Sequence, residues 1–380
     1  MVHSNLIQTL ANLIRISSVN SAYDPQSSES HIQEWISGFF RDHGIPTREQ
    51  EVLPGRPNII AQLPGRNSDR RLVFEAHCDT AGVDGMTIPP FDPLIRNGRI
   101  YGRGACDTKA GLAAMMHALV DLRKANLRPP CEVWMASTVD EEHSFRGVLK
   151  LSENLRAAAA VVSEPTEMKM AVASKGCLRW RITVKGKAAH SSKPCLGTNA
   201  IEQMARIIRL LEDHGRQLQT YGHPLVGSPT LNVGLIQGGT QVNVVPETCW
   251  IEIDRRLIPG EDPAQVLDSY RVLLNGVQTS NPDLEWFMEP PLLQDQPMQT
   301  PADSAIVQCA ARVLKEAGLN GSPVGVPFGS DASKFVRAGI PSIILGPGSI
   351  EQAHTADEYV ELEEVEKAFV VYRNLMKSFE

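Results

Sequence analysis

No stretch of this 380-residue chain is apolar over the roughly 20 residues that a membrane-spanning helix needs. The opening residues, Met1-Val2-His3-Ser4-Asn5, lack the basic start and apolar core of a secretory leader. A basic excess is missing too: the formal net charge is −7, and the pairs Arg70-Arg71 and Arg255-Arg256 stand alone. With nothing to neutralise phosphates, neither nucleic acid nor a membrane surface is expected as a partner. The seven cysteines are odd in number, scattered from Cys78 to Cys309, and form no CxxC pair. That pattern argues against a disulfide framework or a structural zinc knot and fits a reducing cytoplasm. There is no internal repeat, no low-complexity tract and no GxxxxGK[ST] phosphate cradle.

What is present reads as a large globular protein. Hydrophobic residues make up 42% of the chain and charged residues 21%, close to average globular usage. The length exceeds what one core usually serves, so two domains are expected. Apolar periodicity predicts helices over 6–16, 28–43 and 109–125 and buried-type strands over 58–63, 71–77, 131–138 and 157–162. Strands alternating with helices imply a mainly parallel sheet flanked by helices, an α/β fold. The pattern changes near Ser174-Lys175-Gly176. Strands are expected over 178–184, 230–236, 248–255 and 284–288, with helices over 198–213 and 263–275, which reads as an inserted α+β domain. The proline-rich stretch 289–297 would lead back, and a helix over 302–317, a strand over 342–345 and a helix over 362–378 restore the first pattern.

Chemistry gathers where those strands end. His77-Cys78-Asp79 closes one strand, and residues two apart share a face, so His77 and Asp79 point together. That suits a zinc ligand with its orienting carboxylate, or equally a strand-end His–Asp pair. Asp107 follows the glycine-rich turn Tyr101-Gly102-Arg103-Gly104 and could cap a helix or bridge two metals with its two oxygens. Asp140-Glu141-Glu142 ends another strand. Three acids there are costly unless a cation neutralises them or the turn is simply solvated. With a cation, one glutamate would bind it and its neighbour would take a proton from water. Glu164 follows the strand at 157–162, and His354 stands in a late loop where a lone histidine is usually a polar surface residue. Together His77, Asp107, Glu142, Glu164 and His354 form a nitrogen- and oxygen-rich set for two ions sharing Asp107, which favours zinc.

The ordered motifs His77-x-Asp79, Tyr101-Gly-Arg-Gly-x-x-Asp107-x-Lys-x-Gly111, Asp140-Glu141-Glu142, Ser163-Glu164-Pro165-Thr166 and His354-Thr-x-Asp-Glu358 run across essentially the whole chain. In them the sequence resembles the metallopeptidase family of acetylornithine deacetylase, succinyl-diaminopimelate desuccinylase, aminoacylase and glutamate carboxypeptidase. The resemblance implies a zinc-exopeptidase-like catalytic domain over 1–176 and 291–380, interrupted by a lid and dimerisation domain over 177–290. It implies two zinc ions per chain, with cobalt or manganese as substitutes: His77 and Glu164 would hold one, Glu142 and His354 the other, and Asp107 would bridge. Asp79 would orient His77, and Glu141 would be the general base.

In the inserted stretch, Gly186-Lys-Ala-Ala-His190-Ser191 matches the motif whose histidine polarises the scissile carbonyl, from a partner subunit in dimeric members. Gly238-Gly239-Thr-Gln-Val-Asn243 matches the segment that brings an asparagine to substrate, and Arg255 resembles the arginine that clamps the substrate carboxylate. Met86-Thr87-Ile88-Pro89-Pro90-Phe91 lacks the tryptophan that the family often places there, which bears on the substrate pocket. Glu164, where other branches carry aspartate, is similar to the acyl-amino-acid hydrolases.

The implied activity is removal of an acyl group from an N-acyl amino acid. Water bridging two zincs would attack the carbonyl, with Glu141 moving the proton. The implied assembly is a cytoplasmic homodimer. Two other readings are a dipeptidase or carboxypeptidase of the same family and a catalytically silent metal-binding or interaction protein. The second would be expected to have lost the base or a ligand, and this chain keeps them all.

Overall fold

A computed structural model describes residues 2–380. The chain divides into two compact units. The first comprises the chain up to Val172 with Gln299–Gly325 and Ser330–Glu380, and the second comprises Ala173–Met298 with Val326–Gly329. Among the described residues no helix is long and apolar enough to cross a membrane.

The first unit is built on a sheet of nine strands. At its centre Cys131–Thr138, Asn67–His77, Ala159–Val162 and Ser342–Ile344 lie side by side and parallel. The sheet is mixed beyond them. Thr47–Leu53 and Arg56–Leu63 form a hairpin, turned at Pro54-Gly55, that adds antiparallel to Cys131–Thr138. Thr47–Leu53 carries TREQEVL with no buried residue, so apolar periodicity gave it no signal. The parallel centre is buried on both faces, as its runs of Val, Ile, Phe and Ala require.

Helix Ala110–Lys124 carries a polar surface only in its last turns, because it packs between helices Val2–Arg15 and Leu362–Ser378. A third, small sheet joins Leu94–Arg96, Arg99–Tyr101 and Tyr359–Glu361, pairing Tyr101 with Tyr359. That pairing sets the glycine-rich turn after Tyr101 against the segment that follows His354.

The second unit is an antiparallel sheet in the order Thr230–Gly238, Thr248–Leu257, Gly176–Lys185, Glu285–Met288, with Leu293–Asp295 also on Gly176–Lys185. Alternate residues Leu178, Trp180, Ile182 and Val184 meet Cys249, Ile251, Ile253 and Leu257 in one core. Helices Ala200–Leu218 and Pro263–Ser280 cover it. Both start on a side-chain cap: Asn199 Oδ1 accepts from the Ile201 and Glu202 amides, and Asp262 from those of Ala264 and Gln265.

Candidate metal centre

Parallel strands finish at one edge of a sheet, and this edge carries the chemistry. His77 is in register with Thr138, and Glu75 with Val162. The continuations Asp140-Glu141-Glu142 and Ser163-Glu164 therefore emerge beside His77. Helix Ala110–Lys124 begins at the same place because Gly111 lacks a side chain: a Cβ there would sit 1.7 Å from Ser163 Oγ.

Asp107 arrives from the glycine-rich turn. Gly104 has φ +80°, and a Cβ on it would meet Thr80 and Lys109 within 3.0 Å. Asp107 itself is not helical, with φ −119° and ψ 94°, and the helix starts only after Lys109. Its side chain caps nothing; it lies between two imidazoles. His77 Nε2 is 3.1 Å from Asp107 Oδ1, and His354 Nε2 is 3.3 Å from Asp107 Oδ2. His354 Nε2 is also 3.0 Å from Glu142 Oε1. Two groups of donors result, His77–Asp107–Glu164 and Asp107–Glu142–His354, with the ligand atoms of each within 4.8 Å of one another. Asp107 belongs to both. Glu141 stands beside them, its Oε2 3.9 Å from His77 Nε2.

The electrostatics suit a cation. Burial, then the charges of Glu141 and Asp107, push the Glu164 carboxyl well above the usual range. Burial, with Glu142 and Asp107 adding and His77 and Lys334 opposing, raises Glu141 to about 8. Hydrogen bonds to Asp107 and Glu142 lift His354 to about 11. Burial opposes a charge on His77, yet its hydrogen bonds to Asp107 and Asp79 raise it well above an ordinary imidazole. The same hydrogen bonds from His354 and His77 overcome burial and keep Asp107 low. Four carboxyls and two imidazoles thus compete for too little positive charge. One or two divalent ions relieve that shortage, and a nitrogen- and oxygen-only donor set fits zinc.

Surrounding residues hold these groups in place. His77 Nδ1 donates to the Asp79 backbone carbonyl at 3.0 Å, with Asp79 Oδ1 farther away at 3.6 Å. The orienting acceptor is therefore first the main chain, and Nε2 is left facing the cluster. The Asp79 carboxylate also accepts the backbone amides of Glu141 and Glu142, both at 3.1 Å. Glu358, the last residue of the His354 motif, is fully buried and accepts four donors: Arg103 Nη1 and the amides of Gly104, Cys106 and Asp107, at 2.7–3.0 Å. It fixes the turn that delivers Asp107. Lys109 Nζ, buried, donates to the carbonyls of Leu13 and Ile16 at the end of the first helix. Behind His77 a second acidic layer, Glu75 and Asp331, gathers on the Thr138 hydroxyl. A charged residue inside the apolar run 71–77 was the available signal for Glu75.

His190, Asn243 and Arg255 belong to the second unit. His190 is exposed, and its Nδ1 lies 2.8 Å from Ser192 Oγ. It bridges Val244, and the Asn243 carbonyl accepts the Ser191 amide at 3.0 Å, so these two segments are neighbours. Arg255 is 1% exposed, and its Nη2 is 2.6 Å from Glu261 Oε1. Its guanidinium already holds a carboxylate of its own chain. Arg256, the next residue, points to the other face, is partly exposed and pairs with Asp254.

Comparison with known proteins gives a consistent neighbourhood. The family model described as peptidase family M20/M25/M40 matches residues 73–378. The acetylornithine deacetylase of Myxococcus xanthus is 31% identical over 331 residues, 85% of this chain and 84% of that one. A tripeptidase from Staphylococcus aureus superposes with a TM-score of 0.81 at 24% identity, covering 99% of this chain and 98% of its own. A dinuclear metal-binding peptidase of the M20 family from Bacillus subtilis does so with a TM-score of 0.75 at 17% identity, covering 99% and 97%.

Proposed function

The chain belongs to peptidase family M20/M25/M40, and from that premise we propose that it is a two-zinc amidohydrolase removing the acyl group from an N-acyl amino acid. One observation carries the reading: two donor triplets share Asp107, with Glu141 placed beside them and outside both. His77 and Glu164 would complete one ion's site, Glu142 and His354 the other's. The ions would supply Lewis acidity toward the scissile carbonyl and the attacking water.

The chain's own residues do the rest. Glu141 takes a proton from the water as its oxygen adds to the amide carbon. It returns that proton to the nitrogen as the C–N bond breaks, leaving a carboxylic acid and an amine, which become carboxylate and ammonium once the acid's proton passes to the amine. Asp79 holds Glu141 and Glu142 apart in these roles through their amides. His190 would stabilise the developing oxyanion and Asn243 would contact the substrate. Removing one such oxyanion contact typically costs about 3–4 kcal/mol.

The carboxylate clamp expected at Arg255 would fall instead to Arg256: both arginines pair with an acid of their own chain, but Arg255 is buried and Arg256 is partly exposed. Arg256→Met should raise KM for an N-acyl amino acid, whereas Arg255→Met should act on stability. The second unit is read as the lid and dimer module. Its outer strand Thr230–Gly238 leaves Leu235 and Ile236 more than half exposed, at 55% and 57%, a surface suited to a second copy. Seven free thiols among the described residues fit a reducing cytoplasm.

The decisive assay measures bound metal after zinc loading and turnover of N-acetylornithine, N-acetylcitrulline, N-succinyl-diaminopimelate and dipeptides, with zinc and with cobalt. Fastest turnover of an N-acyl amino acid supports the reading. Preference for dipeptides would transfer the same site to a peptidase. Fewer than one metal per chain would favour a silent protein.

A further inference from the structure

The Ser-rich loop between the first two helices shows no apolar periodicity, yet it reaches the acidic end of the site. Segment 18–23 is clipped to the end of strand Asn67–His77: Ser18 Oγ donates to the Cys78 carbonyl at 2.6 Å, and Val19 bridges Thr80. Asn20 is fully buried between two carboxylates. Its Nδ2 donates to Asp79 Oδ2 at 2.8 Å and to Asp140 Oδ1 at 3.1 Å, and its Oδ1 accepts the Ala22 amide at 3.0 Å. Its backbone amide donates to the Thr80 carbonyl at 2.9 Å, and its carbonyl accepts the Tyr23 amide at 2.9 Å. Every polar group of the residue is engaged.

We propose that Asn20 is a positioning residue that sets Glu141 and Glu142 through Asp79 and Asp140. This rests on the reading of Glu141 as base and Glu142 as ligand. Asp79 and Asp140 are both buried carboxylates, and each holds one part of the acidic loop. Asp79 accepts the Glu141 and Glu142 amides. Asp140, with φ +66°, accepts Ser144 Oγ on its side chain and the Phe145 amide, at 2.7 Å, on its carbonyl. Two such anions side by side repel unless a donor lies between them. A planar NH2 offers one hydrogen to each, which aspartate, serine or an apolar side chain cannot do. Two arginines also approach Asp140: Arg146, more than half exposed, with its Nε 3.7 Å from Oδ2, and Arg56. Arg56 Nη2 is 2.5 Å from Glu29 but 3.4 Å from Asp140, so most of its charge serves Glu29. Asn20 thus ties the carboxylate beneath the base to the carboxylate that starts the base's own loop.

Three variants test this in the full-length chain: Asn20→Ala, Asn20→Ser, which keeps one donor, and Leu314→Ala, a cavity in helix Ala305–Glu316 chosen to lower Tm without touching the site. Hydrogen exchange of the peptide covering 139–145 is read in metal-free protein, which needs neither turnover nor ions. Zinc affinity by chelator competition and the kcat and KM of the best amide substrate complete the set. Loss of an outer partner of a metal site typically costs about 10–100-fold in affinity or activity. Asn20→Ala should therefore show faster exchange at 139–145, weakening confined to one of two zinc-binding steps, and a kcat loss of that order with KM nearly unchanged. Asn20→Ser should fall between it and wild type, and Leu314→Ala should change none of these. Unchanged exchange and zinc binding in Asn20→Ala, or the same changes in Leu314→Ala, would overturn the proposal. If wild type cleaves no amide while Asn20→Ala still alters exchange and zinc binding, the functional reading fails and the positioning role stands.

Discussion

The two halves of the centre share Asp107 but are built from different material. His77 and Glu164 stand at the ends of neighbouring parallel strands, and their side is closed: His77 is 2% exposed and Glu164 5%. Glu142 and His354 come from loops. The His354 side chain is 52% exposed, and its backbone has φ +60°, in the left-handed region that few residues other than glycine adopt. Strand register fixes the first pair, whereas the second depends on hydrogen bonds made by Asp79 and on the loop between Ser342–Ile344 and Tyr359–Glu361. The difference teaches that one donor group is part of the sheet and the other is assembled on its rim, so ions held there should differ in affinity, access and tolerance.

The largest effect is expected at the residue that belongs to neither half. Glu141→Gln should retain both metals and lose on the order of 10²–10⁴ in kcat, the usual worth of a general base. Normal turnover in that variant, measured beside its metal content, would remove Glu141 from the mechanism.

The contrast itself is tested by paired truncations. His77→Ala opens a buried site that water cannot refill in the same geometry, so its zinc affinity should fall by more than the roughly 10–100-fold that an outer partner costs. His354→Ala, already at the solvent, should weaken one ion only and by less. Equal losses in chelator competition would mean that burial does not separate the halves.

Glu358→Ala acts on what the halves share. It strands the buried Arg103 guanidinium and frees the turn carrying Asp107, and breaking a buried pair typically costs about 3–5 kcal/mol. Denaturant unfolding should show that loss, with both ions weakened together.

The smallest effect lies outside the centre. His117 Nε2 is 2.8 Å from Thr9 Oγ1, and burial, helped by the charges of His43 and Lys124, lowers the imidazole to about 4. Above pH ~6.5 neither the folded nor the unfolded chain protonates this histidine. Between that value and about 4 the unfolded chain takes up the proton first, so stability falls as pH falls. In His117→Gln the drop in Tm between pH 7 and 5 should shrink, leaving the zinc-binding contrast untouched.

Much of the candidate centre was legible because its donors gather at strand ends, and strand ends follow apolar runs that periodicity finds. His77, Glu141, Glu142 and Glu164 each close such a run. Asp107 and His354 required the glycine-rich turn and the ordered motifs. The unread residues lie where no periodicity operates: Asn20 in an irregular loop, and Glu358, whose four donors come from more than 250 residues earlier in the chain. The burial of Arg255 is different, since its signal was present. Cys249, Ile251, Ile253, Arg255 and Leu257 share one face of strand Thr248–Leu257, the buried one, and Arg256 shares the other with Asp254. Alternation alone turns Arg255 inward. Thr47–Leu53 escaped because a polar edge strand has no apolar face to display.

The most direct test is timed removal of zinc by a chelator from fully loaded protein, with metal counted per chain and hydrolysis of an N-acyl amino acid followed in parallel. Two ions per chain are expected, one leaving quickly and one slowly, with His354→Ala hastening only the fast one and His77→Ala the slow one. A single ion per chain, or two that leave together and respond alike to both substitutions, would contradict a centre of two unequal halves joined at Asp107.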